Sequence, residues 1–117
     1  MLRNRETGRF KPPSDVLEVE DKFIILVEIA GMQSDDFKLS LMNRKLVISG
    51  TRTLPSFEAT AYHRVEIETG EFRLEFHLQK AVDAEYVTAN YNDGLLRVEL
   101  PYLPKKTVTV VTAHDKD

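Results

Sequence analysis

The sequence predicts an all-β sandwich or barrel, and three observations carry that prediction. Short runs of β-forming residues recur, with turn signals about every eight to twelve residues. No segment sustains a helical apolar period over ten residues. Asp93-Gly94 stands between two strand-like runs, the strongest short-range hairpin signal a sequence carries.

The elements follow in order. Pro12-Pro13 closes a basic leading segment. Leu17 and Val19 alternate with Glu18 and Glu20, the pattern of a short strand. Phe23 through Ala30 is nearly continuous apolar β-former, which reads as a central strand, and Gly31 stops it. Ser34-Asp35-Asp36 reads as a turn or one helical turn. Phe37, Leu39 and Leu41 alternate with Lys38 and Ser40. Asn43-Arg44 reverses the chain, and Leu46 through Ser49 returns it to Gly50. Residues 53–61, with Pro55, read as a loop that carries apolar Leu54 and Phe57. Val65 and Ile67 alternate with Arg64, Glu66 and Glu68, a further strand pattern. The cleanest alternation sets Phe72, Leu74, Phe76 and Leu78 against Glu71, Arg73, Glu75 and His77. Residues 79–85 connect, and Tyr86 to Tyr91 leads into the hairpin. Beyond Gly94, Leu96, Val98 and Leu100 form one face and Arg97 and Glu99 the other. Pro101 has no N–H for a ladder and ends the strand.

A chain of 117 residues makes one domain with extensions: a short basic arm at 1–14, a domain at 15–101 and a tail at 102–117. Apolar residues are 42% and charged residues 30%, with no run long enough to span a membrane. No apolar stretch follows Met1-Leu2-Arg3-Asn4-Arg5, so no secretory signal is expected. Cysteine is absent, which excludes a disulfide framework, thiol catalysis and Cys-ligated zinc, and fits the reducing cytoplasm. The net charge of −3 is uneven: residues 1–11 carry +3, residues 102–117 carry +1, and the stretch between carries −7. A basic arm on an acidic body reads as a solvated arm or as one that contacts acidic surface on a partner subunit. It lacks the interleaved aromatics of a nucleic-acid binder, Phe10 being its one ring.

No catalytic constellation is present. His63, His77 and His114 lie on separate segments without metal-ligand spacing, so neither a metal nor a cofactor is expected. No nucleophile elbow or phosphate-binding glycine loop occurs. The remaining signals concern surfaces. Val108 and Val110 would point to one side of an extended segment. They belong either to a final strand of the domain or to a peptide that pairs with a sheet edge on another subunit. Leu54 and Phe57 either pack down on their own domain or help carry the strand at 62–68 to a neighbour.

Residues 15–101 resemble the α-crystallin domain of the small heat shock proteins. The hairpin supplies Ala89 and Gly94-Leu95-Leu96, then Val98 and Leu100-Pro101. A second block is Glu28-Ile29-Ala30-Gly31-Met32, Asp35-Asp36, Leu39 and Leu41, then Leu46, Ile48 and Gly50-Thr51-Arg52. A third is Tyr62-His63-Arg64-Val65-Glu66, followed by Gly70, Phe72, Phe76 and Leu78. Val108-Thr109-Val110 is similar to the family's C-terminal Ile-x-Ile/Val motif.

The resemblance implies an immunoglobulin-like β-sandwich with a flexible N-terminal arm and C-terminal tail. It implies a dimer formed by strand exchange, with Tyr62, His63, Arg64, Val65 and Glu66 docking near Leu17 and Val19 of a partner. It implies that Val108 and Val110 of one dimer dock on another, in a groove lined by Leu39, Leu41, Val87 and Ala89. The implied function is that of an ATP-independent, non-enzymatic holdase in the cytoplasm. Its partners would be non-native client proteins and copies of itself, with neither nucleic acid nor membrane. A p23-like co-chaperone with the same sandwich is the alternative. Relative to the family pattern, the arm before Pro12 is short, Gln79 stands where Pro is usual, and the tail pairs two valines. These differences imply smaller or more labile assemblies.

Overall fold

Two four-stranded sheets share one apolar core in the computed structural model, which describes residues 9–104 and Val110. The strands are β1 (Arg9–Phe10), β2 (Ser14–Glu18), β3 (Lys22–Glu28), β4 (Phe37–Met42), β5 (Lys45–Arg52), β6 (Gly70–His77), β7 (Thr88–Asn92) and β8 (Leu95–Pro101). Two short 3-10 turns, η1 (Ser34–Asp36) and η2 (Ala84–Tyr86), precede β4 and β7. One sheet runs β1-β6-β5-β4 and the other β2-β3-β8-β7. β1 pairs parallel to β6, and the other strand pairs are antiparallel.

The alternations of the sequence become the two faces of each sheet. Phe72 and Leu74 of β6 are buried while Glu71, Arg73 and Glu75 are exposed. Leu96, Val98 and Leu100 of β8 enter the core opposite Val27, Ile25 and Phe23. The Asp93-Gly94 hairpin closes with φ of 53° and 79°, the paired positive values of a type I′ turn. Such a turn matches the twist of its strands, and glycine meets the second position without steric cost.

β3 is an inner strand of its sheet, between β2 and β8, as its run of β-formers predicts. Phe23, Ile25 and Val27 are buried, but Ile24 and Leu26 are half-buried. They sit across from Glu99 and Arg97, so only charged side chains and the edge strand flank them on that outer face. Pro101 is the last residue of β8 rather than a stop before its end. It needs no N–H there, and its carbonyl accepts from Asp83 N at 2.8 Å. The strand pattern at Val65 and Ile67 forms no strand in this chain: residues 53–69 run as a loop between β5 and β6. Alternation equips a segment for a pleated surface, but a strand exists only with a ladder partner. Here β5 and β6 pair with each other directly across the loop's neck, Arg52 opposite Gly70.

Phe10 was legible only as the one ring in a basic segment. In the structure it is 7% exposed and packs on Phe72, ring centroids 5.7 Å apart. β1 is held at the margin of its sheet by that one side chain and a two-residue ladder.

Candidate functional site

The two sheets end in edge strands, and four of the expected interaction residues, Leu17, Leu39, Leu41 and Ala89, fall on them. β2 is the outer strand of its sheet, with β3 on one side and, among the described residues, an open backbone edge on the other. All five of its residues are exposed. Val16 pairs with fully buried Ile25, so its side chain lies on the core-facing side of the sheet, yet it is 50% exposed. Leu17 on the opposite face is 44% exposed, and Val19, just beyond the strand, 40%. An open edge with apolar side chains on both faces is a ready template for another strand.

The loop at 53–69 presents the other half of that expectation. Tyr62 is 70% exposed, Phe57 80% and Ile67 57%. His63, Arg64 and Glu66 are exposed, and Val65 is half-buried. Arg64 Nε stands 3.8 Å from a Glu66 carboxylate oxygen, an exposed pair that contributes little to stability.

On the far side of the sandwich, β4 and β7 are the outer strands of their two sheets. Phe37 of β4 and Tyr91 of β7 meet across them with ring centroids 5.1 Å apart. Leu39 and Leu41 face buried Ile48 and Leu46 in the register, and Ala89 faces buried Val98. All three therefore lie on core-facing sides, at a margin where the core is open to solvent. Leu39, Leu41 and Val87 are half-buried against the core, while Ala89 is exposed. Of the four expected groove residues, Leu39 and Leu41 thus lie on β4, Ala89 on β7, and Val87 immediately before β7. Of the two tail valines, Val108 lies outside the described residues, and Val110 is 81% exposed.

Tyr91 fixes this margin. Its hydroxyl donates to Ile29 O at 2.7 Å and accepts from Met32 N at 3.2 Å, tying β7 to the connection that leads into β4. Nothing local in the sequence predicts that role, since the partners lie about sixty residues away.

Charge pairs lie on the outer surfaces. Lys22 Nζ donates to Glu99 Oε1 at 2.6 Å, and Arg97 Nε stands 2.7 Å from the other Glu99 oxygen. The Lys22–Glu99 hydrogen bond is the main reason the Lys22 ammonium holds its proton above the ordinary range and the Glu99 carboxyl titrates below its own. Lys80 bonds to Glu18 at 3.1 Å and stands 4.6 Å from the Tyr102 ring centroid, and the pairing with Glu18 raises its pKa. The Tyr102 hydroxyl donates to Val19 O at 3.0 Å, so both residues brace the end of β2. Among the described residues no group of three or more His, Cys, Asp or Glu could hold a metal ion. No described helix is long and apolar enough to cross a membrane.

This architecture defines an all-β sandwich domain with two open margins. Comparison with known proteins names the group: a model of the Hsp20/alpha crystallin family matches residues 15–112, and the chain belongs to that family, the small heat shock proteins. A 17.7 kDa class II heat shock protein of Arabidopsis thaliana is 34% identical over 95 residues, which are 79% of this chain and 61% of that protein. Heat shock protein 16 of Schizosaccharomyces pombe is 32% identical over 108 residues, 89% of this chain and 75% of that protein. Among solved structures, heat shock protein 16.0 from Schizosaccharomyces pombe superposes with a TM-score of 0.74 at 28% identity, covering 91% of this chain and 99% of that one. The chain spans about three fifths of the length of the Arabidopsis relative.

Proposed function

We propose that this chain is an ATP-independent holdase that binds partly unfolded proteins and works as a strand-exchanged dimer. One observation carries the reading: β2 is an open edge strand with Val16 on its core-facing side left half exposed. A monomer gains nothing from that arrangement. A partner's segment at Tyr62 to Glu66, laid along β2, supplies the missing ladder and covers Val16, Leu17 and Val19. Each such side chain contributes roughly 1.5–3 kcal/mol gross when fully buried. The exposed rings of Tyr62 and Phe57, on a loop without a strand of its own, suit a segment that is delivered elsewhere.

The β4–β7 margin supports the second contact. Val108 and Val110 of another dimer would fill the space beside Leu39, Leu41, Val87 and Ala89. Two valines contribute roughly 3–5 kcal/mol gross, much of it offset by ordering the tail. That is a reversible cover over apolar surface, which a holdase needs and an enzyme does not. Clients would be recognised by their exposed apolar segments, without nucleotide. Lack of cysteine accords with work in the reducing cytoplasm.

The test pairs mass with activity. Native mass spectrometry across concentration should find dimers or larger species, and the protein should suppress heat-induced light scattering of an aggregating enzyme without ATP. Val16→Asp should shift the population toward folded monomer and reduce suppression. A strict monomer that leaves aggregation unchanged would overturn this reading and favour a p23-like co-chaperone.

A further inference from the structure

Arg52 ends β5 at the point where the 53–69 loop departs, and it touches three segments that are remote in sequence. Its Nε and Nη2 both donate to Glu68 O, at 3.1 and 2.6 Å. Its Nη1 donates to Ala30 O at 3.3 Å, beside Gly31. Its guanidinium carbon stands 4.9 Å from the centroid of the Phe10 ring. The β5–β6 ladder already closes the loop at Arg52 and Gly70, and the fork on Glu68 O extends that closure two residues into the loop.

We infer that Arg52 is a positioning residue that couples the seat of the leading segment to the neck of the loop. A guanidinium is planar, and its donors keep fixed relative directions, so its grip on Glu68 O depends on the plane being held. Phe10 holds it from one side and Ala30 O from another. When Phe10 leaves its pocket, Arg52 loses the ring, its part-buried guanidinium becomes more hydrated, and the bonds to Glu68 O compete with that hydration. The coupling is reciprocal: a loop drawn outward pulls Glu68 from Arg52 and weakens the seat of Phe10. Phe10 is the weaker anchor by construction, since β1 offers only two ladder residues. Release therefore begins there. The consequence for assembly rests on the strand-carrying role proposed above; the coupling itself does not.

Trypsin cleavage, located by mass spectrometry in the full chain, tests this. Cleavage after Arg64 reads access to the loop, and cleavage after Arg97, in β8, reads global unfolding. Phe10→Leu, which removes the ring but keeps most of the apolar volume in the core, should raise the Arg64 rate relative to the Arg97 rate by about three- to tenfold, the scale of a lost cation–π contact. Arg52→Gln should do the same, and adding Phe10→Leu to it should raise the ratio no further. Arg52→Lys, which keeps a cation over the ring but not the fork, should fall between. Phe10→Met, which also keeps the apolar volume without a ring, serves where Phe10→Leu does not fold. An unchanged ratio in the Phe10 variants, or equal increments with and without Arg52, would overturn the coupling. Subunit exchange between isotopically labelled dimers separates the two ideas. If Arg64 access rises but exchange does not quicken, the strand-carrying role fails and the coupling stands.

Discussion

Replacing Gly50 with alanine should destabilise the domain by crowding, without any backbone strain. The φ of Gly50 is not in the left-handed region, so space alone demands glycine. A Cβ at this position would lie 2.8 Å from Asp36 O and 3.0 Å from both Cε2 and Cζ of Phe72. None of these can yield cheaply. Phe72 is 1% exposed and is bounded by the rings of Phe10 at 5.7 Å and Phe37 at 6.2 Å. Asp36 O is backbone in η1, immediately before β4, and Phe37 pairs directly with Gly50. The methyl must therefore push the start of β4 outward, along with one wall of the β4–β7 margin. Overpacking of this kind costs about 1–3 kcal/mol, and in a domain of this size each kcal/mol lowers Tm by about 4–8 °C. Thermal unfolding followed by far-UV circular dichroism should thus show a fall of roughly 4–24 °C for Gly50→Ala. In a Phe72→Leu background the two ring contacts vanish and only Asp36 O remains, so the increment should shrink by about half. A Tm within about 2 °C of the wild type, or an undiminished increment in the Phe72→Leu background, would refute the reasoning.

Tyr91→Phe keeps the ring against Phe37 but removes the donor to Ile29 O and the acceptor of Met32 N. It should cost about 1–2 kcal/mol in urea unfolding, with an unchanged m-value, and an unchanged midpoint would rule the network unimportant. The Lys22–Glu99 pair predicts a pH response. The Glu99 carboxyl titrates below its ordinary 4.5, so its stabilisation is present above that value and is lost as the pH falls through the native pKa. Lys22 titrates above its ordinary 10.5, so its share is present below that value and is lost only as the pH rises beyond it. Urea midpoints between about pH 3 and 7 should show the wild type converging on Glu99→Gln toward the acid end; a constant difference would show that the pair is not the cause.

The interaction residues were legible to the degree that they share a local pattern. Leu39 and Leu41 alternate with polar neighbours, and so do Leu17 and Val19, so each could be assigned to one face of a strand. Whether that strand is central or marginal was not readable, because strand order is a matter of which distant segments pair. The same period-two pattern at Val65 and Ile67 ends in a loop within this chain, and the solvent-facing Ile24 and Leu26 look identical in sequence to buried Ile25 and Val27.

What the sequence determined by itself is short-range: the Asp93-Gly94 turn, whose positive φ values only a few residue types tolerate, and the two faces of β6 and β8. Steric preference and side-chain alternation act over a few residues, so they can be read from a few residues. Tertiary structure alone decided that Phe10 joins the core, that Gly50 must have no side chain, and that Arg52 gathers Phe10, Ala30 and Glu68. It also decided that β2, β4 and β7 stand at open margins. Each of those facts is a distance between parts far apart along the chain, and packing two sheets around one core is what sets such distances.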